Sequence, residues 1–434
     1  MVLKSITVGN YKNIGLTTIE LNRVVSLVSP NNYGKSNLLD AIEFGFSFIN
    51  ESPKARNNMM KAQRLIPLTH KLANEPFVFS LVFEEPELGD YQYVKYGFSF
   101  EWLKDNNQGA VIIDETLEIR ATESVRYTGY LKRSEEKYRS TKNTQSFRKL
   151  KLAPNVLAID ILQGIDSLDI GSVINCIKRL SFNEFKELEL RQLYQPSFIE
   201  MNSSHSDNPI DAVDIPTALF KLKEKHPEDY ELFVESVYDL YPEFDSVEVT
   251  PYVLNQEEHA FIKQLEGVVE KREDVPYHVR DDLFRLTIKS SYLNQPLSIE
   301  YMSTGTQRML WLLANAVFCR CFDINLLGID EVEASIHPKM MKALLEALDN
   351  ILENSSVLLT SHSPYLIQYL KPESIYIGVP NNEGIAQFKR IHPSKVKKLI
   401  QNARSLDISI GEYIFELMSS DEDASIILNS YLED

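Results

Sequence analysis

Five side chains in two distant parts of the chain are suited to phosphate and metal chemistry: Lys35, Ser36, Asp330, Glu331 and His362. A lysine ammonium binds phosphate oxygens, while serine and aspartate oxygens are ligands for Mg²⁺. A glutamate beside them can act as general base on a water molecule, and a histidine can contact a phosphate. The set predicts chemistry on a nucleoside triphosphate, provided that folding brings the residues to one place.

The lysine and the serine lie in the run 28–39, VSPNNYGKSNLL, which follows an apolar strand and opens a helix predicted over 37–48. A phosphate-binding loop requires this strand–loop–helix context. Backbone N–H groups at the start of the helix point at the phosphates, and the helix dipole favours their charge. The alternative is a strand-to-helix turn that uses Gly34 only for a tight bend.

The carboxylates Asp330 and Glu331 belong to the run 328–331, GIDE, which follows the apolar run 326–327. A buried strand that ends in two adjacent carboxylates is costly unless something binds them. Asp330 would hold Mg²⁺ directly or through water, and Glu331 would polarise the attacking water. The other interpretation is a strand that runs into an acidic helix cap, since Glu333 follows.

Two further segments end where a ligand could lie. Ser303 and Thr304 stand before an apolar helix and can cap it, but a serine and a glycine (Gly305) at a helix N-terminus also form an anion site. His362 ends a β-rich run after the carboxylate strand, at the sheet edge where open α/β sheets bind ligands. A lone histidine is more often structural.

The order of these segments resembles that of ABC-type ATPase heads, a group that includes RecF, the structural-maintenance-of-chromosomes (SMC) proteins and the OLD-family ATPases. The opening run 6–14, ITVGNYKNI, resembles the usual start of that group. The run 333–338, EASIHP, resembles the segment that follows the Asp-Glu pair in OLD-like ATPases. The resemblance covers roughly 1–120 and 280–400. It implies an α/β fold: an ABC-type P-loop NTPase head, with a mixed sheet and an antiparallel β flank.

The resemblance also implies ATP and Mg²⁺ as cofactors. Ser36 and Asp330 would hold the metal, and the catalytic residues would be Glu331, as base, and His362, as the switch that contacts the γ-phosphate. The implied nucleotide contacts are Asn31, Asn32, Gly34, Lys35, Ser36, Asn37, Ser303 and Gly305.

Heads of this type dimerise head to tail around two nucleotides. Ser303 and Gly305 would therefore reach ATP bound on a second subunit, and Ser335 would meet its counterpart there. Three positions depart from the family pattern: Ser29 replaces the first glycine of the loop, Met302 stands for leucine, and Thr306 for glutamine or glutamate. Gln63 is a weak candidate for the glutamine that links Mg²⁺ to the body of the head.

Composition restricts the class of protein. The chain has 434 residues and a net charge of −17, which argues against a protein coated in DNA-binding surface. No apolar run approaches the ~18 residues that span a bilayer, and the N-terminus lacks a secretory pattern, so we expect a cytoplasmic protein without membrane contact. Cys176, Cys319 and Cys321 show no zinc spacing and are expected to be buried thiols.

The pattern of apolar residues predicts the layout. The runs 77–83, 91–100 and 111–119 alternate as half-exposed antiparallel strands do, and 173–190 and 217–240 have helical periodicity. No sustained heptad indicates a coiled coil. We expect four segments: 1–124, the N-terminal half of the ATPase head; 125–280, a mainly helical insert; 281–400, the C-terminal half of the head; and 401–434, an acidic tail.

One segment, 130–151, combines basic and aromatic residues. Such a patch could neutralise phosphates while bases stack on rings. The other interpretation is a solvated, mobile loop, which charged segments usually are.

We therefore expect an ATP-hydrolysing subunit that acts as a homodimer or higher oligomer through its heads. The residues after His362 are too few for the metal-binding nuclease domain of OLD nucleases. In its motifs, and in having no long coiled-coil insertion, the chain resembles stand-alone ATPase subunits of bacterial anti-phage systems of the Septu and PARIS types. The resemblance implies that its partner is a separately encoded effector, a nuclease. The alternatives are a RecF-like DNA-repair or DNA-clamping ATPase, and a scaffolding module that holds nucleotide without turnover.

Overall fold

The structure is a computed structural model, and it describes residues 1–67, 69–104, 106–139, 148–165, 169–185, 193–194, 198–201, 214–254, 256–269, 277–280, 282–378, 383–419 and 422–433. The chain divides into two compact units. Unit 1 comprises Met1–Lys186, Ile324–Val332 and Asn354–Asp434, and unit 2 comprises Glu187–Asp323 and Glu333–Glu353. The four segments expected from the sequence stay a prediction.

Unit 1 contains an antiparallel sheet. Among the described residues it has eight strands, in the order β2-β1-β4-β5-β6-β7-β8-β9. Their bounds are β1 Val2–Gly9, β2 Thr17–Glu20, β4 Phe77–Glu84, β5 Tyr93–Glu101, β6 Val111–Arg120, β7 Thr128–Lys132, β8 Lys137–Tyr138 and β9 Arg148–Lys149. The three strands predicted from alternation are confirmed as β4, β5 and β6, because their apolar side chains line one face and are buried.

The second sheet of unit 1 positions the chemistry. Among the described residues it has six strands, in the order β10-β16-β17-β3-β18-β19. Their bounds are β3 Val24–Val28, β10 Phe182–Phe185, β16 Leu326–Ile329, β17 Ser356–Ser361, β18 Ile375–Gly378 and β19 Phe388–Arg390. Every neighbouring pair is parallel except β18 with β19. Strands β3, β16 and β17 are almost wholly buried, as parallel strands covered on both faces are.

The helices of unit 1 are α1 Lys35–Asn50, α2 Pro53–Met59, α3 Ala158–Leu162, α4 Gly171–Arg179, α10 Pro364–Ile367, α11 Val396–Ser405, α12 Ile410–Ser419 and α13 Glu422–Asn429. Helix α1 buries Leu38, Leu39 and Ile42 in the main core. The last three helices contribute to a second core that includes Val28 and, on β18, Ile375 and Ile377.

The helix predicted over 173–190 is wrong for 180–185, and 186–190 lie outside the described residues. Helix α4 ends at Arg179, and β10 then pairs in parallel with β16. Asn325 assists this change of direction, since its Oδ1 accepts a hydrogen bond from the Ser181 N–H at 3.1 Å. The partner strand lies far along the chain, so local periodicity could not reveal the pairing.

Unit 2 combines helices with short strands. The helices are α5 Ile215–Lys225, α6 Pro227–Leu240, α7 Gln256–Val269, α8 Thr304–Cys321 and α9 Pro338–Ile351. The strands are β11 Ile199–Met201, β12 Phe244–Pro251, β13 Tyr277–Val279, β14 Phe284–Ser290 and β15 Leu297–Ser298. The single helix predicted over 217–240 is in fact α5 and α6, because Pro227 has no N–H and cannot continue the preceding helix. Among the described residues, no helix is long and apolar enough to span a membrane.

A buried carboxylate in unit 1 couples stability to pH. Glu115 on β6 is fully buried and accepts hydrogen bonds from the Ala158 N–H at 2.6 Å, the Ile159 N–H at 3.2 Å and the Tyr96 hydroxyl at 3.0 Å. Burial raises the pKa of Glu115 to about 7, although these hydrogen bonds and the Arg133 charge oppose the shift. The folded state therefore holds a proton that the unfolded chain releases at lower pH.

We expect the free energy of unfolding to fall as pH rises from about 5 to about 7, and to level off above that. The raised pKa in the folded state corresponds to a loss of up to about 3 kcal/mol, since each pKa unit is worth roughly 1.4 kcal/mol. Urea unfolding across this range measures the loss. Glu115→Gln should flatten the curve, whereas Glu118→Gln, a half-exposed neighbour on the same strand, should leave it unchanged. An equally steep curve in Glu115→Gln would contradict the assignment.

Candidate functional site

The predicted catalytic segments of unit 1 follow three adjacent parallel strands. The loop 29–34 follows β3, Asp330 and Glu331 follow β16, and His362 follows β17. Strand β17 lies between the other two, with Leu359 opposite both Ser26 and Ile329. Because parallel strands end at the same edge, the structure brings these segments together there.

The loop after β3 turns sharply into helix α1. Asn32 and Gly34 have left-handed φ values of 59° and 131°, and Lys35 is the first helical residue, so the helix begins earlier than predicted. The Lys35 side chain is buried, and its Nζ donates to the carbonyl oxygens of Ser29 at 2.9 Å and Pro30 at 3.3 Å. The ammonium therefore lies within the loop. Asn31 and Asn32 are exposed.

Residues of the opening run hold this loop, a role that sequence reasoning missed. Asn13 Nδ2 donates to the Tyr33 carbonyl at 2.9 Å, and Asn13 Oδ1 accepts from Asn37 Nδ2 at 2.8 Å. Lys12 Nζ reaches Asn37 Oδ1 at 3.1 Å and Asp40 Oδ2 at 2.5 Å. Both ends of the Asn37 amide are thus bonded within unit 1, and its contact with nucleotide stays a prediction. The sequence feature that could have revealed this role is the polar run 10–13, NYKN, which lies between buried apolar residues.

The serine that replaces the first loop glycine is accommodated by a glycine on the neighbouring strand. Ser29 is fully buried, and its Oγ donates to the Pro30 carbonyl at 3.2 Å. A Cβ added at Gly378, at the end of β18, would lie 2.8 Å from the Ser29 Cβ and 2.4 Å from the Tyr33 ring. The glycine that provides space at this point, Gly378, therefore lies on β18 and not in the phosphate-binding loop.

Gly378→Ala should weaken ATP binding about tenfold, because the new methyl group would displace Ser29 and Tyr33 at a strain cost of roughly 1–3 kcal/mol. Equilibrium titration with a fluorescent ATP analogue measures the loss. Gly129→Ala is the matched control, since nothing lies within 4 Å of a Cβ at that position. Unchanged affinity in Gly378→Ala would show that the loop does not depend on this contact.

A polar cluster joins the loop to the other two strands. Ser36 Oγ donates to Asp330 Oδ2 at 2.7 Å, and the Thr360 hydroxyl donates a short hydrogen bond to Asp330 Oδ1. Thr360 Oγ1 also accepts from the Glu331 N–H at 2.9 Å. Thr360, at the end of β17, was not identified from the sequence, although it belongs to the conspicuous run TSHSP. It orients both carboxylate residues.

The serine and aspartate oxygens fit a magnesium ion. Two neighbouring ligands of octahedral Mg²⁺ lie roughly 3 Å apart, since each bond is about 2.1 Å. Ser36 Oγ and Asp330 Oδ2 are already 2.7 Å apart. Both are hard oxygen donors of the kind that Mg²⁺ prefers. When bound, the ion would neutralise phosphate charge, and Ser36 and Asp330 would hold it.

Glu331 is exposed and has a left-handed φ of 47°. A non-glycine residue in this region is uncommon, and here the Thr360 hydrogen bond to its N–H holds the conformation. His362 is exposed at the end of β17. The backbone beyond it turns as the Ser363 N–H donates to Ser361 Oγ at 2.9 Å. Both predicted catalytic side chains are therefore accessible to a ligand.

Ser303 and Gly305 lie in unit 2. Ser303 is the N-cap of α8, and its Oγ accepts from the Thr306 N–H at 3.1 Å, so the capping interpretation describes its local role. A Cβ at Gly305 would lie 2.7 Å from the Ser335 carbonyl oxygen, and Ser335 has a left-handed φ of 63°. The two segments that the family resemblance assigns to a dimer interface are therefore neighbours within this unit.

The basic segment 130–151 is only partly described, since 140–147 lie outside the described residues. Tyr130 is buried, and Arg133 donates to the carbonyls of Val156 and, at 2.9 Å, Ala153. Glu135 forms ion pairs with Lys132 and Lys137. These side chains form hydrogen bonds and ion pairs within the protein. Nucleic-acid contact at this segment stays a prediction. Gln63 is exposed in a short 3₁₀ turn, and its proposed role also stays a prediction.

Comparison with known proteins identifies the family and the fold of the chain. The sequence profile of a family described as "AAA ATPase domain" matches residues 1–367. No curated protein sequence matches. Among solved structures, an SMC head bound to the C-winged helix domain of ScpA has 14% identity and a TM-score of 0.53, covering 92% of this chain and all of that chain. This similarity shows the fold: a mixed α/β, ABC-type P-loop ATPase head.

Two further similar structures have lower TM-scores. An SMC head domain with an extended coiled coil, bound to the C-terminal domain of ScpA derived from Pyrococcus furiosus, has 12% identity and a TM-score of 0.48, covering 93% of this chain and 99% of that chain. The recombination mediator protein RecF has 16% identity and a TM-score of 0.40, covering 89% of this chain and 97% of that chain.

Proposed function

The chain belongs to the AAA ATPase domain family and is an ATPase, and from this premise we propose that it hydrolyses ATP as a dimer and thereby regulates a separately encoded effector. The observation that carries the proposal is the cluster of Ser36, Asp330, Thr360 and Glu331 beside the Lys35 loop. It offers an ammonium for phosphate, two oxygens for Mg²⁺ and a carboxylate for water at one sheet edge.

The roles follow from position. Lys35 and the backbone N–H groups at the start of α1 bind phosphate, and Ser36 with Asp330 holds Mg²⁺. Glu331 accepts a proton from the attacking water, and His362 contacts the γ-phosphate. Thr360 is a positioning residue, because it acts through the two carboxylate residues rather than on the nucleotide.

The dimer is supported by the surface around the start of α8. Ser303 and Thr304 are exposed, and the Tyr301 ring, three residues before Thr304, is 70% exposed. The helix N-terminus offers donors for an anion. ATP bound in the Lys35 loop of one protomer would contact Ser303 and Gly305 of its partner, and hydrolysis would release the two protomers.

Mixing of two inactive variants tests the shared site. Lys35→Ala disables the phosphate loop, and Ser303→Arg places a long side chain where the partner's nucleotide would lie. If sites are shared, an equimolar mixture should recover roughly a quarter of the wild-type rate, because half of the dimers are mixed and each holds one intact site. If each protomer carries its whole site, the mixture stays inactive.

A second mixture provides the matched control. The double variant, Lys35→Ala with Ser303→Arg, is mixed with an equal amount of wild-type protein. Shared sites predict roughly a quarter of the wild-type rate, because only wild-type homodimers are active. Independent sites predict roughly half. Circular dichroism of each variant shows that it is folded.

The effector is proposed by analogy with other ATPase heads that act together with a separate protein. An SMC head of the same fold is bound to a domain of ScpA, so a head of this fold can carry a separate polypeptide. We propose a nuclease effector in bacterial anti-phage defence. Co-purification with the product of the adjacent reading frame, followed by mass measurement, tests this. A chain that instead binds single-strand/duplex junctions by itself, with a steep salt dependence, would favour the RecF-like alternative.

A further inference from the structure

Three side chains of unit 2 form a cluster with metal-ligand chemistry, remote in sequence from the phosphate loop. A ring nitrogen of His226, a carboxylate oxygen of Asp229 and Cys321 Sγ all lie within 4.8 Å of one another. His226 joins α5 to α6, Asp229 is in the first turn of α6, and Cys321 is the last residue of α8. The cluster therefore connects three helices of this unit.

The backbone explains how two of the three side chains converge. Pro227 ends α5, and the His226 carbonyl accepts from the N–H groups of Asp229 and Tyr230, both at 3.1 Å. This first turn of α6 fixes Asp229 on the same side as His226. Helix α6 packs against α8, which brings the end of α8 to this corner.

The donor set selects the class of metal. An imidazole nitrogen, a carboxylate oxygen and a thiolate sulfur together suit a borderline-soft ion such as Zn²⁺, whereas Mg²⁺ and Ca²⁺ prefer oxygen ligands. Ligands of tetrahedral Zn²⁺ lie roughly 3.3–3.7 Å apart, given bonds of about 2.0–2.3 Å. Donor atoms within 4.8 Å of one another need only a small closure to reach that spacing.

The Asp229 carboxylate is close enough to the sulfur to accept a hydrogen bond from the Cys321 thiol. Arg320 Nε lies 3.3 Å from Asp229 Oδ1, and Arg320 Nη1 also pairs with Glu353 at 3.3 Å. The Phe322 and His226 rings form a T-shaped pair, with centroids 6.3 Å apart.

We propose that His226, Asp229 and Cys321 bind one zinc ion, with water as the fourth ligand. The ion ties the α5–α6 corner to the C-terminal end of α8, the helix whose other end carries Ser303 and Gly305. Binding converts the Cys321 thiol to a thiolate, and the proton goes to solvent. No oxidation state changes.

Metal titration of the full chain tests the site. The protein is treated with a chelator and dialysed, and Zn²⁺ is then added in competition with a chromophoric chelator, without nucleotide. Wild-type protein should bind one zinc ion per chain. Cys321→Ser and His226→Ala should each weaken this binding about 100-fold or more. Cys176→Ser and His259→Ala, which alter a thiol and an imidazole outside the cluster, should not.

Cobalt substitution identifies the ligand directly. The Co²⁺ form should show a thiolate-to-metal charge-transfer band that Cys321→Ser loses and Cys176→Ser retains. Since the His226 side chain is exposed, His226→Ala tests the site even if Cys321→Ser fails to fold. Absence of stoichiometric zinc binding, or binding that persists in both ligand variants, would overturn the proposal. Either result leaves the ATPase proposal intact.

Discussion

Glu331→Gln is expected to lower kcat for ATP hydrolysis by about 10²–10⁴-fold while ATP binding is retained. The amide keeps the shape of the side chain but cannot accept the proton of the attacking water. The backbone should be undisturbed, because the hydrogen bond that holds this residue joins its N–H to Thr360 Oγ1. Phosphate release measures kcat, and equilibrium titration measures ATP affinity.

The same variant should lengthen the lifetime of the ATP-bound dimer, since hydrolysis is the proposed release step. Size-exclusion chromatography with ATP would show a dimer that persists in Glu331→Gln and decays in wild-type protein. Glu346→Gln, an exposed carboxylate on α9, is the matched control. If Glu331→Gln hydrolyses ATP normally and Glu333→Gln does not, the base is Glu333.

Lys35→Ala should instead weaken nucleotide binding, with affinity for ATP reduced about 100-fold or more. The ammonium is buried in the loop, where it bonds the carbonyls of Ser29 and Pro30, so a phosphate would meet a desolvated charge. Removing one partner of such a charge-assisted contact costs roughly 2–5 kcal/mol. Isothermal titration with ATP and Mg²⁺ measures the loss.

Lys35→Ala is therefore expected to lose affinity for ATP, whereas Glu331→Gln is expected to lose hydrolysis. Lys54→Ala, on the exposed surface of α2, controls for general loss of positive charge. Removal of the ammonium also leaves two loop carbonyls without this donor, so the free energy of unfolding should fall by about 1–3 kcal/mol. Equal loss of ATP binding in Lys35→Ala and Glu331→Gln would contradict the division of roles.

Much of the site was accessible from residue types and order. The loop around Lys35 was identified by its strand–loop–helix context, and strands β4, β5 and β6 by strict alternation. These features are local, because the residue types of a short segment determine its periodicity and its turns. The same reasoning placed Ser303 as a helix cap.

The two errors have different causes: one is a distant contact and the other is a local signal. Helical periodicity continued past Arg179, yet the chain enters β10, because pairing with β16 satisfies its backbone. The helix expected over 217–240 is interrupted at Pro227, a local signal that the periodicity obscured.

The sequence by itself determined which side chains could do the chemistry and which strands and helix flank them. Only the tertiary structure decided which residues support them: Thr360 orients Asp330 and Glu331, and Gly378 makes room for Ser29. The physical reason is that β17 pairs in parallel with β16 on one side and, on the other, with β3, which lies hundreds of residues earlier in the chain. Parallel pairing depends on backbone hydrogen bonds, which carry no signature in the intervening sequence.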